Sequence, residues 1–127
     1  MIIGIGTDII NSSRISKIIC KYGDAFGKKI LDDAEYFQYQ ELGMLKKAQY
    51  LTNCFGAKEA TAKSFGTGFR NGVRFKDIVL YYDSMGCPHL KLLGKASEVF
   101  LELGASRIDL SISHEKGLTI AFVIISN

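Results

Sequence analysis

This sequence of 127 residues contains little proline and cysteine, and its net charge is small. Only one proline is present, and no linker, repeat or low-complexity segment divides the chain, so we expect one domain over residues 1–127. The three cysteines are widely spaced and lack a C-x-x-C pair, which argues against a disulfide framework or a zinc site. Reduced thiols of this kind are typical of a cytoplasmic protein.

The charge balance is only mildly basic. The 16 Lys and Arg against 13 Asp and Glu give a net charge of +3, less than expected of a dedicated nucleic-acid-binding domain. The N-terminal run MIIGIGTDII has no basic residue before it and contains Asp8, so we predict neither a signal peptide nor a membrane span there. We therefore expect no nucleic-acid or membrane partner.

The first half of the sequence predicts one strand and two helices. Residues 2–5 are β-branched apart from one glycine and predict a buried strand that ends near Asp8. Polar residues 11–13 can cap a first helix that runs to about Gly23. The helical pattern of residues 32–51 continues to the glycines after Ser64, which predicts one long helix.

The second half changes to a period of two. Residues 78–82 and 90–93 predict a hairpin, and residues 96–103 a short helix. Residues 107–114 alternate between apolar and polar side chains.

The final strand, residues 119–125, is apolar on both faces and needs cover on both sides, by helices on one and by another subunit on the other. The predicted class is α+β, with a largely antiparallel sheet packed against the long helix.

Three residues could form either an active site or ordinary structural contacts. Asp8 at the end of the first strand could be a helix cap, and Glu59 four residues before Lys63 is the favoured helical ion pair. Two carboxylates converging where strand and helix meet would also suit Mg²⁺, which takes one or two carboxylates beside water and phosphate oxygens. Lys63 would then reach the same phosphate as a point charge.

Other candidates have plain structural explanations. The glycines of SFGTGF follow a helix, so they predict a helix cap and turn rather than a nucleotide-binding loop. His114 is by default a structural histidine, and by parity it continues the apolar face of its strand. Arg14 is by default part of a solvated face that includes Lys17 and Lys21.

Four motifs, taken together, suggest more than structure. In chain order they are GIGTDI at 4–9, FGAKEATAKSFGTG at 55–68, the Gly86-x-Pro88 turn and SISH at 111–114. They resemble the motifs of the holo-acyl-carrier-protein synthases, the small bacterial phosphopantetheinyl transferases, over the whole chain. The resemblance implies a 4'-phosphopantetheinyl transferase-like fold.

The resemblance also implies a reaction. Phosphopantetheine would pass from coenzyme A to a serine of an apo-acyl carrier protein, releasing 3',5'-ADP. Mg²⁺ would be held by Asp8 and Glu59, which with Lys63 would form the catalytic group. Glu59 or a metal-bound water would accept the serine proton.

Substrate contacts are implied in the same way. Lys58 and His114 would contact the phosphates of coenzyme A. Its pocket would be lined by Phe55, Gly66, Thr67, Gly68 and Pro88. Arg14 would dock the acidic carrier protein, and the family assembles as a homotrimer with sites between subunits.

The sequence departs from the family at four positions. They are Asn11, where an acid is common; Cys54, where Arg precedes the motif phenylalanine; Gly56, in place of Ala; and Cys87, where the turn often contains Lys.

Two other functions fit parts of the sequence. A Mg²⁺-dependent enzyme could use the same carboxylates with water as the nucleophile. A basic module could bind nucleic acid through the cations of residues 14–29, although no recognised binding motif is present.

Overall fold

A computed structural model describes residues 1–127, which form five strands and five α-helices. The strands are β1 (Ile2–Asn11), β2 (Ile78–Tyr82), β3 (Pro88–Leu92), β4 (Arg107–Glu115) and β5 (Leu118–Ser126). The helices are α1 (Ser12–Tyr22), α2 (Ala25–Ile30), α3 (Asp33–Gln40), α4 (Met44–Ser64) and α5 (Gly94–Glu102). A single 3-10 turn, Phe75–Asp77, precedes β2.

All strand pairs are antiparallel, which confirms the predicted α+β class. The strands divide between two sheets: one has the order β1-β5-β4, and the other is the β2-β3 hairpin. In the larger sheet β5 is central, with Asp8 opposite Ala121 on one side of it and Ile112 opposite Ala121 on the other. β1 is therefore an edge strand, and its outer edge pairs with no other strand.

Helix α4 lies directly against β1 because glycines remove the side chains between them. A Cβ added to Gly6 would lie 1.9 Å from the carbonyl oxygen of Ala60, and one added to Gly4 would lie 2.0 Å from that of Ser64. No real side chain fits these distances, so the GIG run permits the close approach of two backbones. That approach places the C-terminal half of α4 beside the middle of β1.

Two apolar clusters stabilise this arrangement. One joins α4 to the larger sheet and α5, and the other joins α4 to α1, α2 and α3. Ile15 and Ile19 of α1 are buried in the second cluster, while Tyr22 is 60% exposed. The predicted first helix is confirmed, with Asn11 as its N-cap and Gly23 as its C-cap.

Two sequence predictions about the first half are wrong. The predicted long helix is interrupted, because Gly43 adopts an extended backbone and separates α3 from α4. The first strand does not end near Asp8 but continues to Asn11, because every residue from Gly4 to Asn11 pairs with β5. Helix α2 was not predicted at all.

The larger sheet has one covered face and one open face. Thr119, Ala121, Val123 and Ile125 of β5 are buried beneath α4, whereas Ile120 and Phe122 are 43% and 36% exposed. Ile5 and Ile9 of β1 are 59% and 62% exposed. Helices therefore cover the first face of β5 as predicted, and the second face presents aliphatic and aromatic side chains to solvent.

Candidate active site

Asp8 and Lys63 form an ion pair between β1 and α4. The Lys63 Nζ lies 3.1 Å from Asp8 Oδ1 and 2.9 Å from the carbonyl oxygen of Thr7. The Asp8 side chain is 15% exposed and that of Lys63 is 53% exposed. The carboxylate is thus nearly enclosed while the ammonium remains open to a ligand.

Small residues make room for the Asp8 carboxylate beneath α4. Its Oδ2 lies only 4.0 Å from the place where a Cβ on Gly56 would stand. Ala121, which pairs with Asp8, is equally small and is buried. Gly56, where the related motif has alanine, therefore lies beside the carboxylate and widens the space around it.

Glu59 lies one helical turn before Lys63 and shares the electrostatic environment of Asp8. Partial burial raises the pKa of the Glu59 carboxyl above its ordinary value, and the nearby charge of Asp8 raises it further. The charges of Lys63 and Arg14 oppose these effects. Two carboxylates and two cations therefore lie close enough to interact electrostatically, and the negative pair favours a further cation beside it.

The site opens towards the exposed face of the sheet. Its open depression is lined by Thr7, Asp8, Ile9, Lys63 and Ile120. Ile9 and Ile120 belong to the exposed apolar face described above. A molecule bound beside Asp8 would therefore adjoin that face.

The sequence-based assignment of Lys58 to the phosphates of coenzyme A is wrong for this chain. The Lys58 side chain is fully buried, with its Nζ 2.7 Å from Glu35 Oε1 and 3.0 Å from the Phe75 carbonyl oxygen, and it also donates to the Ile78 carbonyl. All three ammonium hydrogens thus have partners inside the protein. Lys58 is a structural residue that ties α4 to α3 and β2.

Glu35, the partner of Lys58, was missed by the sequence analysis. Besides the ion pair, its carboxylate accepts hydrogen bonds from the backbone N–H groups of Asp32 and Leu80. A local signal was present, because Asp32 and Glu35 have the spacing of a capping box and form one at the start of α3. The long-range contact with Lys58 has no such signal.

Phe55 lies in an aromatic cluster one turn before Glu59. Its ring centroid is 5.3 Å from that of Phe26 and 5.7 Å from that of Phe75. The adjacent Cys54, where the related motif has arginine, is fully buried, and burial raises the pKa of its thiol.

The turn after α4 contains an unpaired hydroxyl. Gly66 and Gly68 have φ angles of +80° and +62°, a region that favours glycine. The Thr67 Oγ1 between them is buried and has no hydrogen-bond partner. The turn therefore contains one buried polar atom whose hydrogen-bonding capacity is unused.

Pro88 and His114 lie apart from the Asp8 and Glu59 cluster within one chain. Pro88, beside the exposed Cys87, lines a cleft between β3 and β4. His114 pairs with Thr119 two strands away from β1. Sheet spacings place its backbone roughly 12 Å from that of Asp8. A single chain does not bring these residues together.

The hydrogen-bond partner of His114 was also missed. Gln49 on α4 places its Nε2 3.1 Å from His114 Nδ1. In the sequence Gln49 is one polar residue among several in a mixed helix, and nothing in its spacing distinguishes it.

Residues 4–123 match the family described as the 4'-phosphopantetheinyl transferase superfamily. The chain belongs to this superfamily. Within it, the chain is 40% identical over 126 residues to the holo-[acyl-carrier-protein] synthase of Photobacterium profundum, covering 99% of this chain and 98% of that protein. The sequence resemblance is thereby confirmed.

Solved structures agree with this relationship. The holo-[acyl-carrier-protein] synthase of Neisseria meningitidis superposes with a TM-score of 0.90 at 41% identity, with full coverage of both chains. That of Bacillus anthracis, solved in complex with CoA (3',5'-ADP), superposes with a TM-score of 0.81 at 34% identity, covering 98% of this chain and 96% of that one. The fold of this chain is therefore the fold of the superfamily, as the sequence resemblance implied. None of the helices here has the length and apolar character needed to cross a membrane.

Proposed function

We propose that this chain is a holo-acyl-carrier-protein synthase and that residues 1–127 form one transferase domain. It transfers 4'-phosphopantetheine from coenzyme A to a serine hydroxyl of an apo-acyl carrier protein, a modification required for fatty acid biosynthesis, and releases 3',5'-ADP. The observation that carries the proposal is the cluster of Asp8, Glu59 and Lys63 in a chain of this superfamily.

The donor set fits Mg²⁺. Asp8 and Glu59 supply two carboxylates close enough for their charges to repel, and no third His, Cys, Asp or Glu joins them. Mg²⁺ typically binds one or two carboxylates and completes its octahedron with water and phosphate oxygens. We assign both residues as its ligands. When bound, the ion supplies positive charge to the oxygens of the pyrophosphate.

Lys63 and Glu59 have complementary roles in the reaction. The serine oxygen attacks the β-phosphorus of coenzyme A, and the bond from that phosphorus to the 3',5'-ADP oxygen breaks. The half-exposed Lys63 ammonium offsets negative charge on the departing pyrophosphate oxygen. Glu59 accepts the serine proton with its carboxylate, which lies one helical turn before Lys63.

The remaining substrate contacts surround this centre. The turn of Gly66, Thr67 and Gly68 lines the coenzyme pocket. Phe55 lies one turn from Glu59 and lines the coenzyme pocket. Pro88 and His114 belong to the same pocket but come from another subunit, because one chain holds them apart from Glu59.

A homotrimer accounts for the open face of the sheet. The exposed Ile5, Ile9, Ile120 and Phe122 form an apolar surface that the depression beside Asp8 adjoins. Burying this surface between subunits would cover it and complete the site at the same time.

The acidic carrier protein docks on α1 through Arg14, assisted by Lys17 and Lys21, all of which are exposed. Arg14 is close enough to Glu59 to lower the pKa of its carboxyl, so a carrier held there presents its serine near the site. We place the enzyme in the cytoplasm, where its two substrates are found together.

A mass-shift assay tests the function. The protein is incubated with Mg²⁺, coenzyme A and an apo-acyl carrier protein, and the carrier is weighed by mass spectrometry. We expect the carrier to gain one phosphopantetheine and 3',5'-ADP to appear in equal amount. Cleavage of coenzyme A without a carrier would favour the hydrolase instead, and no reaction would contradict both.

A further inference from the structure

Gln49 directs its side-chain amide at the end of the sheet where His114 lies. Its Nε2 is 2.8 Å from Asn53 Oδ1, 3.1 Å from His114 Nδ1 and 3.2 Å from Thr119 Oγ1. An amide nitrogen donates hydrogen bonds and does not accept them. One of its hydrogens serves Asn53, and the other is directed at the histidine and the threonine.

The neighbouring side chains agree with this orientation of the amide. Asn53 uses its Nδ2 as a donor to Tyr82 Oη at 3.1 Å, which leaves its Oδ1 facing Gln49 and requires a donor there. Thr119 is buried, and its Oγ1 lies 3.0 Å from His114 Nδ1, so its hydroxyl can donate to the ring as well. His114 Nδ1 therefore faces one amide donor, from Gln49, and one hydroxyl that can also donate, from Thr119.

A neutral imidazole carries one hydrogen, on either Nδ1 or Nε2. With Nδ1 occupied as an acceptor, the hydrogen belongs on Nε2. That nitrogen makes no hydrogen bond within the chain, and the histidine is exposed to solvent. The ring thus presents an N–H donor outward and has no free lone pair on its outer side.

We propose that Gln49 is a positioning residue which, together with Thr119, holds His114 as the neutral Nε2–H tautomer. In this form His114 donates a fixed hydrogen bond to a phosphate oxygen of the nucleotide substrate and cannot serve as a base for the serine proton. The identity of the ligand rests on the proposed function, whereas the tautomer is a property of the free protein.

The tautomer can be measured directly by ¹⁵N NMR of the histidine rings. The chain has only two histidines, so the His114 signals are assigned by their loss in His114→Gln while those of His89 remain. In the pH range where the ring is neutral, we expect a protonated Nε2 and an unprotonated Nδ1. A proton on Nδ1, or an even mixture of tautomers, would overturn the proposal without affecting the transferase assignment.

Gln49→Glu tests the role of the amide. A carboxylate beside Nδ1 accepts a hydrogen bond, so the ring proton should move to Nδ1 and leave Nε2 bare. Gln40→Glu adds the same charge at an exposed position on α3 and should leave the tautomer unchanged. An unchanged tautomer in Gln49→Glu would show that Gln49 does not set it.

Binding of 3',5'-ADP tests the consequence for the substrate. Gln49→Leu removes the donor without adding charge and should weaken binding several-fold, and His114→Ala, which leaves no donor at this position, should weaken it by about tenfold, the effect of losing one hydrogen bond to a charged group. Unchanged binding in His114→Ala would overturn the donor role. If the wild-type protein binds no 3',5'-ADP while its tautomer is as expected, the proposed function fails and the tautomer stands.

Discussion

The Lys63 ammonium lies 3.1 Å from Asp8 Oδ1 and joins the edge strand of the larger sheet to the last turn of α4. Glu59, one turn earlier on the same helix, is close enough for both charges to act on the pKa of its carboxyl. The local ion pair expected from the i and i+4 spacing of Glu59 and Lys63 is therefore replaced by a contact between β1 and α4.

The pKa of Glu59 should respond to each neighbour with a defined sign. Asp8→Asn removes a repelling charge and should lower the Glu59 pKa, while burial, the largest cause of the shift, continues to raise it. Lys63→Met should raise it further. Carboxyl NMR titrations without metal measure both changes.

Asp33→Asn is the control for this titration, since Asp33 is exposed on α3 and does not contribute to the shift. If the pKa of Glu59 is the same in Asp8→Asn as in the wild type, the two carboxylates do not share a site. Burial raises the pKa of the Glu59 carboxyl in the metal-free protein, so this carboxyl takes up a proton at a higher pH than an ordinary glutamate does. The protonated form can neither hold Mg²⁺ nor accept the serine proton, and we therefore expect the transfer rate to fall on the acid side of the pH profile.

Lys58 and Lys63 should differ sharply in what their loss costs. Lys58→Met leaves Glu35 charged and unpaired in the core, which should lower the free energy of unfolding by about 3–5 kcal/mol. Lys63→Met removes a half-exposed ion pair and should cost less than about 1 kcal/mol while lowering the transfer rate. Urea unfolding at one fixed protein concentration compares them.

A double variant, Glu35→Leu with Lys58→Met, checks the cause of the Lys58 effect. It should be more stable than Lys58→Met alone, because no unpaired charge remains buried. Equal stability of Lys58→Met and the wild type would refute the structural role that we assign to Lys58.

These two lysines show which contacts could be inferred from the sequence and which could not. The helical period correctly placed Lys63 with Glu59, since that relationship is local. The same period places Lys58 on one face with Leu51 and Cys54, which are buried, so its burial could have been inferred. Its partner Glu35 is 23 residues away in the sequence. That pairing could not have been inferred, because it depends on how α3 packs against α4.

Other differences have the same origin. Pairing with β5 extends the first strand through Asp8, and no local pattern of residues 6–11 indicates that partner. The break at Gly43 lies inside a sequence that is otherwise compatible with one helix. The contact between Gln49 and His114 joins residues 65 positions apart. Local periodicity thus predicted most elements, while long-range pairs were recovered only through the motifs.

The open face of the sheet should hold the trimer together. The wild-type protein should sediment at about three times the mass of the chain, and Ile120→Lys should produce smaller species with lost activity. Leu45→Lys is the matched control, because Leu45 is 89% exposed on α4, away from that face. A fully active wild-type monomer would contradict the proposal. Mixing a Glu59 variant with a His114 variant should restore part of the activity that each has lost if the site is shared between subunits.

Carrier docking should depend on the charge of α1. Arg14→Glu should raise the KM for the carrier protein several-fold and flatten its salt dependence, because complementary charge mainly accelerates encounter. Lys28→Glu makes the same change of charge on α2 and should have a smaller effect. Steady-state kinetics with each substrate varied in turn provide the measurement. If Arg14→Glu changes only the KM for coenzyme A, α1 contacts the coenzyme and the docking surface for the carrier protein lies elsewhere.

The dependence of the transfer rate on Mg²⁺ concentration tests most directly whether Asp8 and Glu59 form one metal site. Asp8→Asn and Glu59→Gln each remove one ligand charge, so both should require about tenfold or more Mg²⁺ for half-maximal transfer while remaining folded by circular dichroism. Asp33→Asn should match the wild type. Wild-type rates at limiting Mg²⁺ in both Asp8→Asn and Glu59→Gln would contradict the assignment of the active site.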